Sequence, residues 1–253
     1  MKKLVASFFV CSTLLLAGCF ETTQEINLNE DGSGTLSNTN DMSALAGLAK
    51  QMGEKEAEKM SNEVIDTTMA LSSQLDSIKG LTSEEKELMK KGTMHVNMNL
   101  KDDKFIITMN FPFASPAEIK IYNQVTGKVL AQAMKEQMGN DVTGSIGGIE
   151  DVPVPSSFDD YFSLDFSNGL LVKMLDKEKY SGVANDVYLK NMKESASMGI
   201  PMSATYIINL PRAATKVEGK NAKLSDDKNK VTIKADIDDF FDDPATMEFR
   251  IEY

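Results

Sequence analysis

The 253 residues carry 38 acidic against 27 basic side chains, a formal net charge of −11, and 42% of them are hydrophobic. That balance speaks against a nucleic-acid-binding surface, which needs a basic patch, and against broad attachment to anionic lipid headgroups. A single histidine, two cysteines and no tryptophan rule out a histidine-rich metal centre and leave few nucleophiles to weigh.

The chain opens with Lys2 and Lys3, then an apolar run from Leu4 to Leu16, then the small residues Ala17 and Gly18, then Cys19. This is the three-part layout of a secretory signal peptide. The run is too short for a membrane-spanning helix, which takes about 20 apolar residues. An ordinary signal peptide would leave Cys19 as a lone thiol. Leu16-Ala17-Gly18-Cys19 also resembles the lipobox of bacterial lipoproteins. The resemblance implies a diacylglycerol thioether on Cys19, cleavage between Gly18 and Cys19, and an acylated new amino terminus carrying a fatty acid such as palmitate. Residues 1–18 are then the signal peptide, 19–24 the lipidated terminus and tether, and 25–253 a single exported domain. The membrane becomes a partner through the Cys19 anchor. Phe20 stands where an aspartate would suggest inner-membrane retention, which favours the outer membrane if the source is Gram-negative.

Cys11 leaves with the leader and Cys19 is consumed by the lipid. The exported domain then has no thiol for disulfides, metal binding or nucleophilic chemistry. Loss of Lys2 and Lys3 makes its charge two units more negative than the −11 of the whole chain.

Glu25-Ile26-Asn27-Leu28-Asn29 alternates as a strand, Glu30-Asp31-Gly32-Ser33-Gly34 turns, and Thr35-Leu36-Ser37 returns. A helical insert is expected over about 43–91. Asp41 or Ser43 caps a first segment through Ala44, Leu45, Leu48 and Met52. Val64, Thr68, Leu71 and Leu75 then recur at helical spacing, and Thr82-Ser83-Glu84-Glu85 is a capping box for a short helix bearing Leu88 and Met89.

Met94, Val96, Met98 and Leu100 share one face of a strand, and Phe105, Ile107, Met109, Phe111 and Phe113 share one face of the next. This hairpin is expected at the middle of the fold. His95 shares the polar face with Asn97 and Asn99, so it reads as structural. Ser115-Pro116-Ala117-Glu118 starts a helix with Ile119, Tyr122, Val129, Leu130 and Ala133 inward. Residues 139–157, rich in glycine and ending near Pro153 and Pro155, read as a flexible loop.

Tyr161–Phe166 and Leu170–Leu175 form a second hairpin around Asn168-Gly169. Residues 177–197 are partly helical, anchored by Val187, Met192 and Leu189. Ala204–Leu210 is a strand. Ala222–Leu224 and Val231–Ala235 form a third hairpin, and Met247, Phe249, Ile251 and Tyr253 alternate in a last strand. The fold class is α+β, a mainly antiparallel sheet of hairpins with several helices packed on one face.

Two stretches carry a further resemblance. Asn29–Gly34 with Asp41-Met42-Ser43 resembles the start of uncharacterised Bacteroidota lipoproteins. Asn209-Leu210-Pro211, Lys228–Val231 and Ile251-Glu252-Tyr253 are similar to the tail of LppM-like lipoproteins, which implies an antiparallel α+β domain.

For chemistry, Asp236, Asp238, Asp239, Asp242 and Asp243 supply oxygens but no glycine-punctuated loop to converge them on calcium. They read as a solvated turn anchored by Ile237, Phe240 and Phe241, and Asp159 and Asp160 read the same way. Met94, Met98, Met109 and Met247 fall on apolar strand faces and read as core. No catalytic residue, metal ligand or cofactor is assigned, and the expected role is a non-enzymatic binding or structural module of the cell envelope. The partner would be an envelope protein or a hydrophobic ligand, and nucleic acid is not expected. The alternatives are a lipid-binding protein and a hydrolase using two convergent carboxylates.

Overall fold

The computed structural model describes residues 20–43, 64–73, 75, 80–137, 157–197 and 202–253. Among them are twelve strands and five α-helices. The strands are β1 (Phe20–Leu28), β2 (Gly34–Asp41), β3 (Val64–Ala70), β4 (Thr93–Asn99), β5 (Lys104–Phe113), β6 (Phe162–Ser167), β7 (Leu170–Leu175), β8 (Met202–Asn209), β9 (Lys216–Glu218), β10 (Ala222–Leu224), β11 (Lys230–Asp236) and β12 (Phe249–Glu252). The helices are α1 (Ser83–Met89), α2 (Glu118–Gln137), α3 (Lys177–Tyr180), α4 (Val187–Ser197) and α5 (Ile237–Asp242). The mixed, mainly antiparallel α+β architecture expected from the hairpin pattern is the one found.

Eight strands form one sheet in the order β10-β11-β8-β1-β2-β5-β4-β3, and four form another in the order β6-β7-β12-β9. Among the described pairings all are antiparallel except β1 with β8, whose register sets Gln24 opposite Tyr206 and Ile26 opposite Ile208. A parallel pair needs a long crossover. Here the chain lays down five strands of the larger sheet and two of the smaller before β8 returns to β1.

Local chemistry explains the turns. Gly32 sits at φ +85° in the β1–β2 turn, and Gly169 at φ +91° in the two-residue Asn168-Gly169 turn between β6 and β7. Only glycine enters that region without a steric penalty. The two turns touch, with the Asn168 side-chain amide donating to the Glu30 carbonyl at 3.2 Å.

The strand phases place one face of the large sheet inward. Ile26, Leu28, Leu36, Phe111, Phe113, Ile208, Val231 and Ile233 are all buried there. Helix α2 covers part of it through Ile119, Tyr122 and Val125. The Tyr122 ring stacks on Phe111 at 4.7 Å, and its hydroxyl donates to the Pro112 carbonyl at 2.9 Å. Leu171, Phe166, Phe249 and Ile251 of the smaller sheet join the same core. Each such side chain contributes about 1.5–3 kcal/mol by leaving water.

Several expectations need correction. The tether over 19–24 does not extend past Cys19 as free chain, because β1 begins at Phe20 and pairs Glu21 with Asp41 and Ser203. The sheet starts earlier than the alternation suggests, since polar residues here occupy both faces. Val64–Ala70, given to a helix, is strand β3 paired with β4. The apolar positions 64, 68, 71 and 75 fit helical spacing, but backbone pairing to a neighbouring strand outweighs that weak periodicity. Of the remaining insert, α1 forms as expected, with the Thr82–Glu85 capping box intact. The segment through Ala44, Leu45, Leu48 and Met52 lies outside the described residues.

The β4–β5 hairpin has the expected register, Met98 opposite Phe105 and Met94 opposite Met109. It lies toward one edge of the sheet, however, and the middle is held by β1 and β2. Val187, expected as an anchor, is 53% exposed, and Leu189 is the buried residue of α4. The loop expected at 139–157 falls almost wholly outside the described residues. The Asp236–Asp243 run is helix α5, not a turn. Asp236 and Asp239 form a capping box, and Ile237 and Phe240 are buried beneath it.

Candidate functional site

The inward face of the large sheet changes character along its strands. On β1, Ile26 and Leu28 are followed toward the amino terminus by Gln24 and Thr22. On β2, Leu36 is followed by Asn38 and Asn40. Gln24, Asn38 and Asn40 are all less than a tenth exposed. The β1–β2 register sets Gln24 opposite Asn38 and Thr22 opposite Asn40, so the amides lie side by side. The Gln24 amide nitrogen donates to Asn38 Oδ1 at 3.2 Å and to Asn123 Oδ1 of α2 at 3.0 Å. Thr22 donates to Asn40 Oδ1 at 3.3 Å.

Behind this polar floor lies a buried ion pair. Lys173 of β7 is 1% exposed at its side chain, and Asp159 is 9% exposed. Asp159 sits in a short 3-10 turn, Phe158–Tyr161, whose start is capped by Ser157. Lys173 Nζ donates to Asp159 Oδ1 at 2.5 Å, and the Tyr206 hydroxyl donates to the same oxygen at 2.7 Å. Asn123 Nδ2 donates to Asp159 Oδ2 at 3.0 Å. The ammonium also lies over the Tyr206 ring at 3.9 Å and the Phe162 ring at 4.6 Å from their centroids.

Burial pushes the Lys173 ammonium below its ordinary pKa, and the Asp159 charge and hydrogen bond oppose that shift. Burial raises the Tyr206 phenol well above its usual range, and Asp159 adds to the rise. Asp160 is exposed, yet partial desolvation raises its pKa, and the nearby Asp159 and Asp186 charges add to the rise. With one oxygen held by Lys173 and Tyr206 and the other by Asn123, Asp159 fastens β7, β8 and α2 together. Both of its oxygens thus accept at least one hydrogen bond.

A cleft of about 120 Å³ opens beside this network. Its polar lining includes Thr22, Gln24, Asn38, Asn40, Asn123 and Thr126, and its apolar wall Phe158, Leu189, Met192 and Ala204, with Tyr188 beside them. The Thr126 hydroxyl oxygen is buried and has no hydrogen-bond partner among the described residues. Gly127, next along α2, has nothing within 4 Å of where a Cβ would stand.

Of the residues singled out from the sequence, Gly18 and Cys19 lie outside the described residues. His95 sits on the polar face of β4 with Nε2 2.7 Å from Asp66 Oδ1, away from the residues that line the cleft. Among the described residues no group of three or more histidine, cysteine or acidic side chains is placed to hold a metal. Met98, Met109 and Met247 are buried as core residues. No helix among the described residues is long and apolar enough to cross a membrane, which says nothing of a β-barrel.

Asp159, read as solvated, is the main miss, since its side chain is 9% exposed, while Asp160 is exposed as expected. Lys173 was missed with Asp159. It left one signal: in Leu170-Leu171-Val172-Lys173-Met174-Leu175 it shares the strand phase of Leu171, so a cation falls on the inward face and needs a buried counter-charge. Gln24 shows the same anomaly, an amide in phase with Ile26 and Leu28.

No protein-family model matches the chain, and no curated protein matches it. Among solved structures it is similar to the folded domain of the LppM protein of Mycobacterium tuberculosis, determined by NMR. The TM-score is 0.37 and the identity 10%, over 95% of this chain and 94% of that one. The alignment thus runs the length of both chains while the superposition is loose.

Proposed function

We propose that this protein is a lipid-anchored cell-envelope protein whose folded domain is a non-catalytic binding module, with the cleft over β1 and β2 as its ligand site. The anchor reading rests on Leu16-Ala17-Gly18-Cys19 and puts the outer membrane first if the source is Gram-negative. The observation that carries the binding reading is the polar end of the inward sheet face: buried amides are kept beside an open cleft where apolar residues would complete the core. Buried polar groups cost free energy unless each finds a partner, so retaining them at a cleft favours use of their remaining hydrogen-bonding capacity.

The two halves of the proposal are close in space. Thr22 of the cleft is three residues from Cys19, no more than about 11 Å of extended chain. A ligand in the cleft would be met near the bilayer.

The two-carboxylate hydrolase considered as an alternative needs a second carboxylate facing the first. Among the described lining residues Asp159 is the only carboxylate, and both its oxygens accept hydrogen bonds. A purely hydrophobic ligand is disfavoured by the amide floor.

Membrane fractionation of a Cys19→Ala variant tests the anchor. It is expected to leave the membrane pellet and stay unlipidated by mass. Retention in the pellet after a high-salt wash would overturn the anchor.

A further inference from the structure

We infer that the cleft takes an uncharged six-membered ring bearing hydroxyl or acylamino groups, a neutral pyranose unit in chemical class, with Thr126 and Gly127 as its specificity-determining positions. The inference rests on the binding reading above and deepens it.

Charge comes first. Every described lining residue other than Asp159 is uncharged, and Asp159 is neutralised by Lys173 behind it. A charged ligand would enter without a counter-ion and lose its hydration unpaid. The free hydrogen-bonding capacity is instead of the mixed kind. Among the described hydrogen bonds, the amide N–H groups of Asn38 and Asn40 are unused, both offering donors. The buried Thr126 hydroxyl can both donate and accept and has no partner among the described residues. Side chains of this kind match a ligand whose own groups donate and accept, as hydroxyls and carboxamides do.

Size and shape come next. The volume of about 120 Å³ is somewhat below the roughly 150 Å³ of a protein cavity that accommodates benzene, so the cleft takes part of one ring, whose remaining substituents extend through its open mouth. Phe158 and Tyr188 also line the cleft and supply aromatic carbon for the C–H side of such a ring, Phe158 being itself stacked on Phe240.

Gly127 supplies the independent observation. Glycine in a helix interior is destabilising relative to alanine, and no described backbone or side chain crowds the missing Cβ here. Packing among the described residues therefore does not require glycine. An open position facing a cleft is accounted for if the ligand occupies that space.

The experiment uses the full-length protein in a zwitterionic detergent that carries no sugar, with ligand-observed saturation-transfer NMR. The probes are methyl glucoside and its N-acetylamino analogue, against glucuronate and glucosamine as charged counterparts. A second arm presents glucosyl diacylglycerol in phosphatidylcholine vesicles. Saturable binding of a neutral ring in solution assigns a free sugar, and binding in the vesicle arm alone assigns a membrane-borne one. Either supports the inference, provided the charged counterparts bind at least tenfold more weakly. Gly127→Leu is expected to weaken binding at least tenfold while keeping or raising the melting temperature. The near-isosteric Thr126→Val is expected to weaken it several-fold.

Equal binding of charged and neutral rings, no saturation by any neutral ring, or full binding by Gly127→Leu would overturn the inference. If a fatty acid or a phosphate-bearing amphiphile binds instead and Gly127→Leu blocks it, the ring assignment fails and the binding module stands. If Gly127→Leu alters binding of no probe, both fail.

Discussion

The two ends of the inward sheet face share the same strands and the same pleat, yet they are held together in different ways. At one end Ile26, Leu36, Phe111 and Ile208 interlock as ordinary core, roofed by Tyr122. At the other, Gln24, Asn38 and Asn40 meet Asn123, and Asp159 joins Lys173 and Tyr206. The apolar end depends on shape and tolerates small losses one by one. The polar end depends on complete pairing, because low dielectric makes each unpaired group expensive. A strand's alternation selects which residues face inward. It does not say whether that face is to be core or site.

The sharpest way to separate the two ends is to remove one partner from the ion pair. Asp159→Ala leaves Lys173 buried without its counter-charge and is expected to cost about 3–5 kcal/mol in urea unfolding. The double variant Asp159→Leu with Lys173→Met should recover most of that loss, since it removes both charges. If the double variant is as unstable as the single, the network does not behave as a coupled pair.

Alkaline pH probes the apolar end next. Burial pushes the Tyr122 phenol up to about 12 from its ordinary 10, with Glu118 adding to the rise. The folded state therefore favours the protonated phenol. That contribution is whole below pH 10 and is lost as pH rises from 10 through about 12, because the unfolded chain releases the proton first. Urea midpoints measured across that window should fall, and Tyr122→Phe should flatten the fall. An unchanged slope in the variant would assign it to the other buried tyrosines.

The smallest effect is expected from Ile208→Val, which removes one methylene from the apolar end. A loss of about 0.5–1.5 kcal/mol is anticipated from the urea midpoint. A loss several times larger would mean that this end, too, acts as a coupled unit.

Much of the fold is legible in short stretches. The Asn168-Gly169 turn, the Thr82–Glu85 box and the pairing of Met98 with Phe105 follow from contacts a few residues apart, and the alternation of Phe249 and Ile251 from strand phase. The helical reading of Val64–Leu75 failed because strand β3 is decided by its neighbour β4, not by its own period. The acidic run at Asp236–Asp243 was legible as anchored by Ile237 and Phe240, though its capping box makes it a helix. The proposed leader through Cys19 is read from consecutive residues alone, with no contribution from the fold.

The cleft is of the other kind. Asp159 and Lys173 stand 14 positions apart, Asp159 and Tyr206 47 apart, and Gln24 and Asn123 99 apart. Each residue alone carried only a faint anomaly, a polar group in an apolar phase or an acid beside an aromatic. The parallel return of β8 beside β1 and the packing of α2 across them turn those anomalies into a paired network beside a cleft. Sequence periodicity can assign a side chain to a face, but the partner that makes a buried charge affordable is supplied by chain brought back from far away.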